Sequence, residues 1–165
     1  MKKRKREVIL GIDPATISTG WSILEKEGKD IALKSYGLIC AESLPVEQRL
    51  LKIYNELSQI NRVYNPTTVA MEDQFLGVNV STLKKLSWVR GVILLLFLQE
   101  GLPVKVLTPK EIKLTTAGKG SANKDMVRIA VCKRFGIKEK IKDDISDAIA
   151  IALTCALQKG AGFDD

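Results

Sequence analysis

Residues 8–40 carry three β-rich segments separated only by short turns, which commits the chain to a sheet that begins as an antiparallel meander. VILGID at 8–13 is uninterrupted and rich in β-branched residues, as a strand buried on both faces must be. Pro14 forbids its continuation, and PATISTG is a turn rich in small hydroxyl residues. A second strand is expected over 20–25, a turn at Glu27-Gly28-Lys29-Asp30, and a third strand over 31–40. Helices and strands then alternate. Leu50, Leu51, Ile53, Tyr54, Leu57 and Ile60 recur at helical spacing within 45–64. Pro66 stops that helix, and 67–72 follows as a strand parallel to an earlier one. A long helix capped by Asn79 or Ser81 runs to about Gln99, and 104–107 is the fifth strand. A last pair of helices is expected over 124–135 and 144–157. The order is βββαβαβαα, allowing for a short helix at Pro109. The fold class is therefore α/β, a mixed five-stranded sheet flanked by helices. One domain is expected over 8–158, with a basic N-terminal arm at 1–7 and a C-terminal tail at 159–165.

Composition narrows the function. At 165 residues, 45% apolar and 27% charged, the chain can bury a core without disulfides. Cys40, Cys132 and Cys155 lack metal-ligand spacing and read as free thiols, as in a reducing cytoplasm. No signal peptide is visible, and the longest apolar run, 92–98, is too short to span a bilayer. A soluble, cytoplasmic protein with no membrane partner is the expectation. The net charge of +7 favours a polyanionic partner, and Lys2, Lys3, Arg4, Lys5 and Arg6 supply much of it.

Four carboxylates point to the chemistry. Asp13 ends the first apolar run and Glu72 ends another in TTVAME. Both would lie at the carboxyl edge of the sheet, where open α/β sheets place their sites. Asp144 and Asp147 are three apart, hence neighbours on one helical face, and the adjoining stripe Ile145, Ala148, Ile149 and Ala152 would carry them inward. Two unscreened carboxylates about 4 Å apart repel by roughly 4 kcal/mol at an effective dielectric near 20. Hard divalent cations turn that repulsion into attraction, and the chain has no histidine to offer a softer ion. Two Mg²⁺ or Mn²⁺ ions in such a site can activate water and stabilise the departing oxygen of a phosphodiester. No Ser/His or Cys/His nucleophile can be assembled.

Other residues are open to more than one reading. Phe75, between Glu72 and Gly77, is either an exposed loop aromatic able to stack on an unpaired base or a core side chain beneath the loop. Lys110, Lys113, Lys119 and Lys124 gather around Gly118 and Gly120, as in a phosphate-binding loop or a solvated one. Arg90 interrupts an apolar helix and could cross a subunit interface, touch DNA or face solvent.

GIDPATISTGW, MEDQF, the VRGV helix, TPKEIKLTTAGKGSANK and DDISDAIAIA, in that order, resemble the RuvC family of Holliday-junction resolvases, of the RNase H-like superfamily. The resemblance implies an RNase H-like sheet and a structure-selective endodeoxyribonuclease. Such an enzyme resolves four-way junction DNA by paired symmetric nicks in recombination and repair. It implies that Asp13, Glu72, Asp144 and Asp147 hold metal, that Phe75 inserts against junction bases, and that Lys113 and Lys124 lie near the scissile phosphate. It further implies a homodimer formed partly through the long helix, for which Leu86, Val89 and Ile93 offer a surplus stripe, and RuvA and RuvB as partners. Ala15 stands where the family has glycine after the proline, and Asp73-Gln74 where it has Gln-Val.

Overall fold

Alternation along the first strand explains the whole layering. In β1 (Arg6–Asp13), Val8, Leu10 and Ile12 point to one face while Ile9, Gly11 and Asp13 point to the other. Both faces are covered, so no polar position interrupts the run. The computed structural model describes residues 5–73 and 79–158. β1 pairs antiparallel with β2 (Ser18–Glu27) and parallel with β4 (Thr68–Glu72). β3 (Asp30–Cys40) and β5 (Val104–Leu107) complete the order β3-β2-β1-β4-β5. This is the expected mixed five-stranded sheet, with its three-strand antiparallel meander and two parallel strands.

The helices α1 (Val46–Tyr64) and α2 (Val80–Gln99) cover one face, burying Ile53, Leu57, Val89, Ile93, Leu96 and Phe97 against Leu10, Ile12 and Met71. On the other face lie α3 (Pro109–Ala117), α4 (Lys124–Phe135) and α5 (Asp143–Leu157), packed over Ile9, Leu24 and Ala70. The helix starts follow capping chemistry. Asn79 and Asn123 accept from the backbone N–H three residues on, and Thr108 and Glu111 form a reciprocal capping box with Pro109 at the first position. The short helix at Pro109 is thus a capped nine-residue helix. No helix among the described residues is long and apolar enough to cross a membrane.

Helix α5 lies unusually close to the sheet because glycine lines its bed. A Cβ on Gly11 would meet the Ala148 carbonyl oxygen at 2.3 Å, and one on Gly20 the Asp144 carbonyl oxygen at 1.9 Å. Between them, the Ser22 hydroxyl donates to that same Ala148 oxygen at 2.9 Å. At the far end Lys26 donates to the Ala156 carbonyl at 2.6 Å, a cation at the negative end of the helix.

Two sequence expectations change. Arg6 and Glu7, assigned to the basic arm, open β1, because Arg6 pairs with Glu25 across β2 at 2.8 Å. The surplus stripe on α2 is also displaced. Val89 and Ile93 are fully buried, whereas Trp88, Leu95 and Leu98 are 42%, 56% and 64% exposed. A helix apolar on nearly every side does not reveal by periodicity which face the sheet takes.

Candidate active site

The parallel register between β1 and β4 sets Ile12 beside Met71, so Asp13 and Glu72 end adjacent strands at one edge. Both follow residues turned toward α1 and α2, so both face the α5 side, where Asp147 arrives from the helix above. Asp13, Glu72 and Asp147 line one pocket. Lys113 from α3 and Lys124 from the first turn of α4 line it too, with Ile112, Val127 and Ile151 as apolar flanks.

Electrostatics shows an excess of negative charge held away from water. Burial pushes the Asp13 carboxyl well above its ordinary range, and repulsion from Asp147, Glu72 and Asp144 adds to it. Glu72 and Asp147 are raised too, again mainly by burial, with Lys124 working in the opposite direction on both. The Lys124 ammonium lies 3.4 Å from an Asp147 oxygen, and that carboxylate raises the lysine's own proton affinity. As they stand, no three acidic side chains among the described residues are gathered tightly enough to grip one ion. The donor set nevertheless fits a hard divalent cation. Every donor is a carboxylate oxygen, the acids are partly shielded from water, and the neighbouring cations, Lys124 foremost, relieve their charge only in part.

The remaining sequence candidates fall differently. Asp144 does not line the pocket; its backbone is pressed on Gly20, and its charge acts on Asp13 and Asp147 from beside them. Lys110 lays its side chain along Gly120, within 3.1 Å of where a Cβ would stand, and Lys119 is exposed on the loop. Phe75 lies outside the described residues.

Arg90 is open in the sequence between interface, DNA and solvent, and in the structure it lies against the end of β4. Its side chain is 13% exposed, donates to the Glu72 carbonyl oxygen and pairs with Asp73 at 3.6 Å. It thereby ties α2 to the end of the strand that carries Glu72. Nothing in the spacing of VRGV foretold this, because the contact joins residues 18 apart. Arg90→Met is expected to lower kcat about 10- to 100-fold and to weaken the divalent-ion dependence of cleavage, with junction Kd little changed. Arg90→Lys, which keeps one donor, recovers part of the loss. A kcat unchanged in both variants contradicts the positioning role.

Gly11 and Gly20 are the residues sequence reasoning missed. A glycine inside a strand signals close backbone approach, and that signal was present at both.

A sheet of this order, with acids at its carboxyl edge and basic side chains beside them, is built like the nucleases of the RNase H-like class. Residues 9–155 match the model of the family described as crossover junction endodeoxyribonuclease RuvC, and the chain belongs to that family. It is accordingly a metal-dependent nuclease. Among curated relatives, the RuvC of Dictyoglomus thermophilum is 36% identical over 149 residues, covering 89% of this chain and 94% of its own. That of Aliarcobacter butzleri is 38% identical, covering 90% and 97%. The solved structure of Thermus thermophilus RuvC in complex with Holliday junction substrate superposes with a TM-score of 0.83 at 28% identity, over 90% of this chain and 92% of that one.

Proposed function

We propose that the chain resolves four-way DNA junctions by hydrolysing two opposing strands at symmetric positions, as a homodimer using Mg²⁺ or Mn²⁺. The observation that carries the reading is the convergence of Asp13, Glu72 and Asp147 with Lys113 and Lys124 in one pocket. Full-length kinship with enzymes named for crossover junctions supplies the substrate.

Asp13, Glu72 and Asp147 would hold the metal, two ions per site, with Asp144 strengthening the negative field beside them. When bound, the ions supply activation of water and stabilisation of the departing oxygen. The protein's own part is positional. Lys113 and Lys124 bind the phosphate and offset the charge that builds on it in the transition state. With the Asp147 carboxylate committed to metal, Lys124 would be free to hold the phosphate. Ile112, Val127 and Ile151 limit water at one side of the pocket. Lys110 and Lys119 extend the positive surface along the neighbouring loop, and Phe75 follows Glu72 closely enough to meet junction bases.

The homodimer rests on α2. Trp88, Leu95 and Leu98 share an exposed stripe with Gly91, where a Cβ would meet nothing within 4 Å. A second helix can approach closely there, and a two-fold dimer would present two equivalent sites to a two-fold junction. Leu95→Glu with Leu98→Glu is expected to give a monomer by light scattering and to lower coordinated double nicking at least about tenfold. A double variant that stays dimeric contradicts this interface. RuvA and RuvB as partners, and a cytoplasmic location, complete the proposal.

The test of substrate class is competition. The protein should bind a labelled four-way junction in the presence of excess linear duplex of the same sequence. Equal displacement by duplex and junction contradicts structure selectivity.

A further inference from the structure

From the last turn of α4 to the start of α5 the chain carries Lys133, Arg134, Lys138, Glu139, Lys140 and Lys142, five basic side chains against one acid within ten residues. Three of them face outward for a structural reason. Ile137 and Ile141 pack into the core under α5, and the Tyr36 hydroxyl on β3 donates to Glu139, drawing the one acid toward the sheet edge. Lys138, Lys140 and Lys142 are left exposed, and among the described residues none of them pairs with a carboxylate. Nearby Arg128 differs, because it is held by Asp125 at 2.5 Å and Asp143 at 2.6 Å.

The position of this lysine row is what gives it meaning. Arg128 and Asp143 line a second hollow together with Lys140 and Lys142, and Lys138 lines the next one, with Tyr36 and Glu139 at the edge of β3. On α4, Arg128 lies four residues after Lys124; on α5, Asp143 lies four residues before Asp147. Lys124 and Asp147 line the acidic pocket. The acidic pocket and the second hollow are therefore one helical turn apart along a single seam between α4 and α5, about 5–6 Å. Along the axis of duplex DNA, where each strand rises about 3.4 Å per phosphate, that is between one and two steps.

We propose that Lys138, Lys140 and Lys142 form a phosphate-binding rail that guides the DNA strand running out of the active pocket past the α4–α5 seam toward the edge of β3. The inference rests on the nuclease reading for its ligand. The rail neutralises backbone charge without reading bases, since lysine offers a point charge and no fixed fork. It adds affinity and sets the direction in which the cut strand leaves the acids. It also offsets the repulsion that the carboxylate cluster exerts on an approaching phosphate.

The experiment measures binding of the full chain to a synthetic four-way junction and to a linear duplex, across a salt series. An Asp147→Asn background prevents cleavage. Lys138→Gln/Lys140→Gln/Lys142→Gln in that background is compared with Lys29→Gln/Lys52→Gln, which removes charge away from the seam. Three lost phosphate contacts should reduce the slope of log K against log salt by about 2–3. Between 50 and 200 mM salt, the background protein should then weaken roughly 40-fold more than the rail variant. The Lys29/Lys52 variant should keep its slope within about 0.5. Lys29, Lys138, Lys140 and Lys142 are exposed and Lys52 is half-buried beside Glu56, and matched thermal melts establish that each variant is folded. An unchanged slope in the rail variant, or an equal change in the control, overturns the rail. A background protein that prefers junction no more than duplex overturns the resolvase reading instead, and the slope on duplex still decides the rail.

Discussion

Asp13→Asn is expected to abolish cleavage and, at the same time, to stabilise the protein in the absence of metal. Asp13 ends β1 under α5, among Glu72, Asp144 and Asp147. Losing one carboxylate of the proposed metal site forfeits several kcal/mol of transition-state stabilisation, about three powers of ten in rate. The stability effect has the opposite sign. A carboxyl whose proton affinity is higher folded than unfolded stabilises the fold at low pH, and that contribution is lost as pH rises through the folded pKa. Asp13, Glu72 and Asp147 all shift upward, so the metal-free wild type loses stability from about pH 4, the ordinary carboxylate value, upward. Asn cannot ionise and escapes this penalty. The melting temperature of metal-free Asp13→Asn should exceed that of wild type at pH 7, and the two should converge near pH 3.5. Added Mg²⁺ should raise the wild type's melting temperature and leave the variant's nearly unchanged. A variant less stable than wild type at pH 7 without metal contradicts the electrostatic account of the site.

Gly20→Ala should damage fold and catalysis together. Its Cβ would lie 1.9 Å from the Asp144 carbonyl oxygen, a backbone atom that cannot rotate aside. Either β2 or the start of α5 must move. Overpacking of this kind costs about 1–3 kcal/mol or more, which for a chain of this size lowers the melting temperature by about 2–4 °C per kcal/mol. The first two turns of α5 carry Asp144 and Asp147, so the same movement would shift a proposed metal ligand. A displacement of about 1 Å can cost a hundredfold in rate. The expected result is a folded protein with a lowered melting temperature and roughly hundredfold slower cleavage. Wild-type rate in a destabilised Gly20→Ala protein contradicts the claim that this glycine sets the helix.

These glycines also show where sequence reading stops. Asp13 and Glu72 were legible because each ends an apolar run, and a parallel crossover brings such ends together. Asp144 and Asp147 were legible as neighbours, but three residues along a helix do not decide which enters the pocket. That follows from how deeply α5 sits on Gly11, Gly20 and Ser22, a property of packing between elements far apart in the chain. The outward stripe of α2 was hidden for a related reason. Val89 and Trp88 are both hydrophobic, and only the sheet beneath the helix distinguishes them. The role of Arg90 was hidden in the same way, since a long-range contact to a main-chain carbonyl leaves no mark on local spacing. The capped starts of α2, α3 and α4 were the reverse case, because capping is written within three or four residues.

The most direct measurement labels each of the four strands of a synthetic junction in turn and maps the cuts made by wild type and by Asp147→Asn with Mg²⁺. The account predicts nicks at symmetry-related positions in two opposing strands, none in a linear duplex, and none from Asp147→Asn although it still binds the junction. Nicks spread over junction and duplex alike, or undiminished cutting by Asp147→Asn, would contradict it.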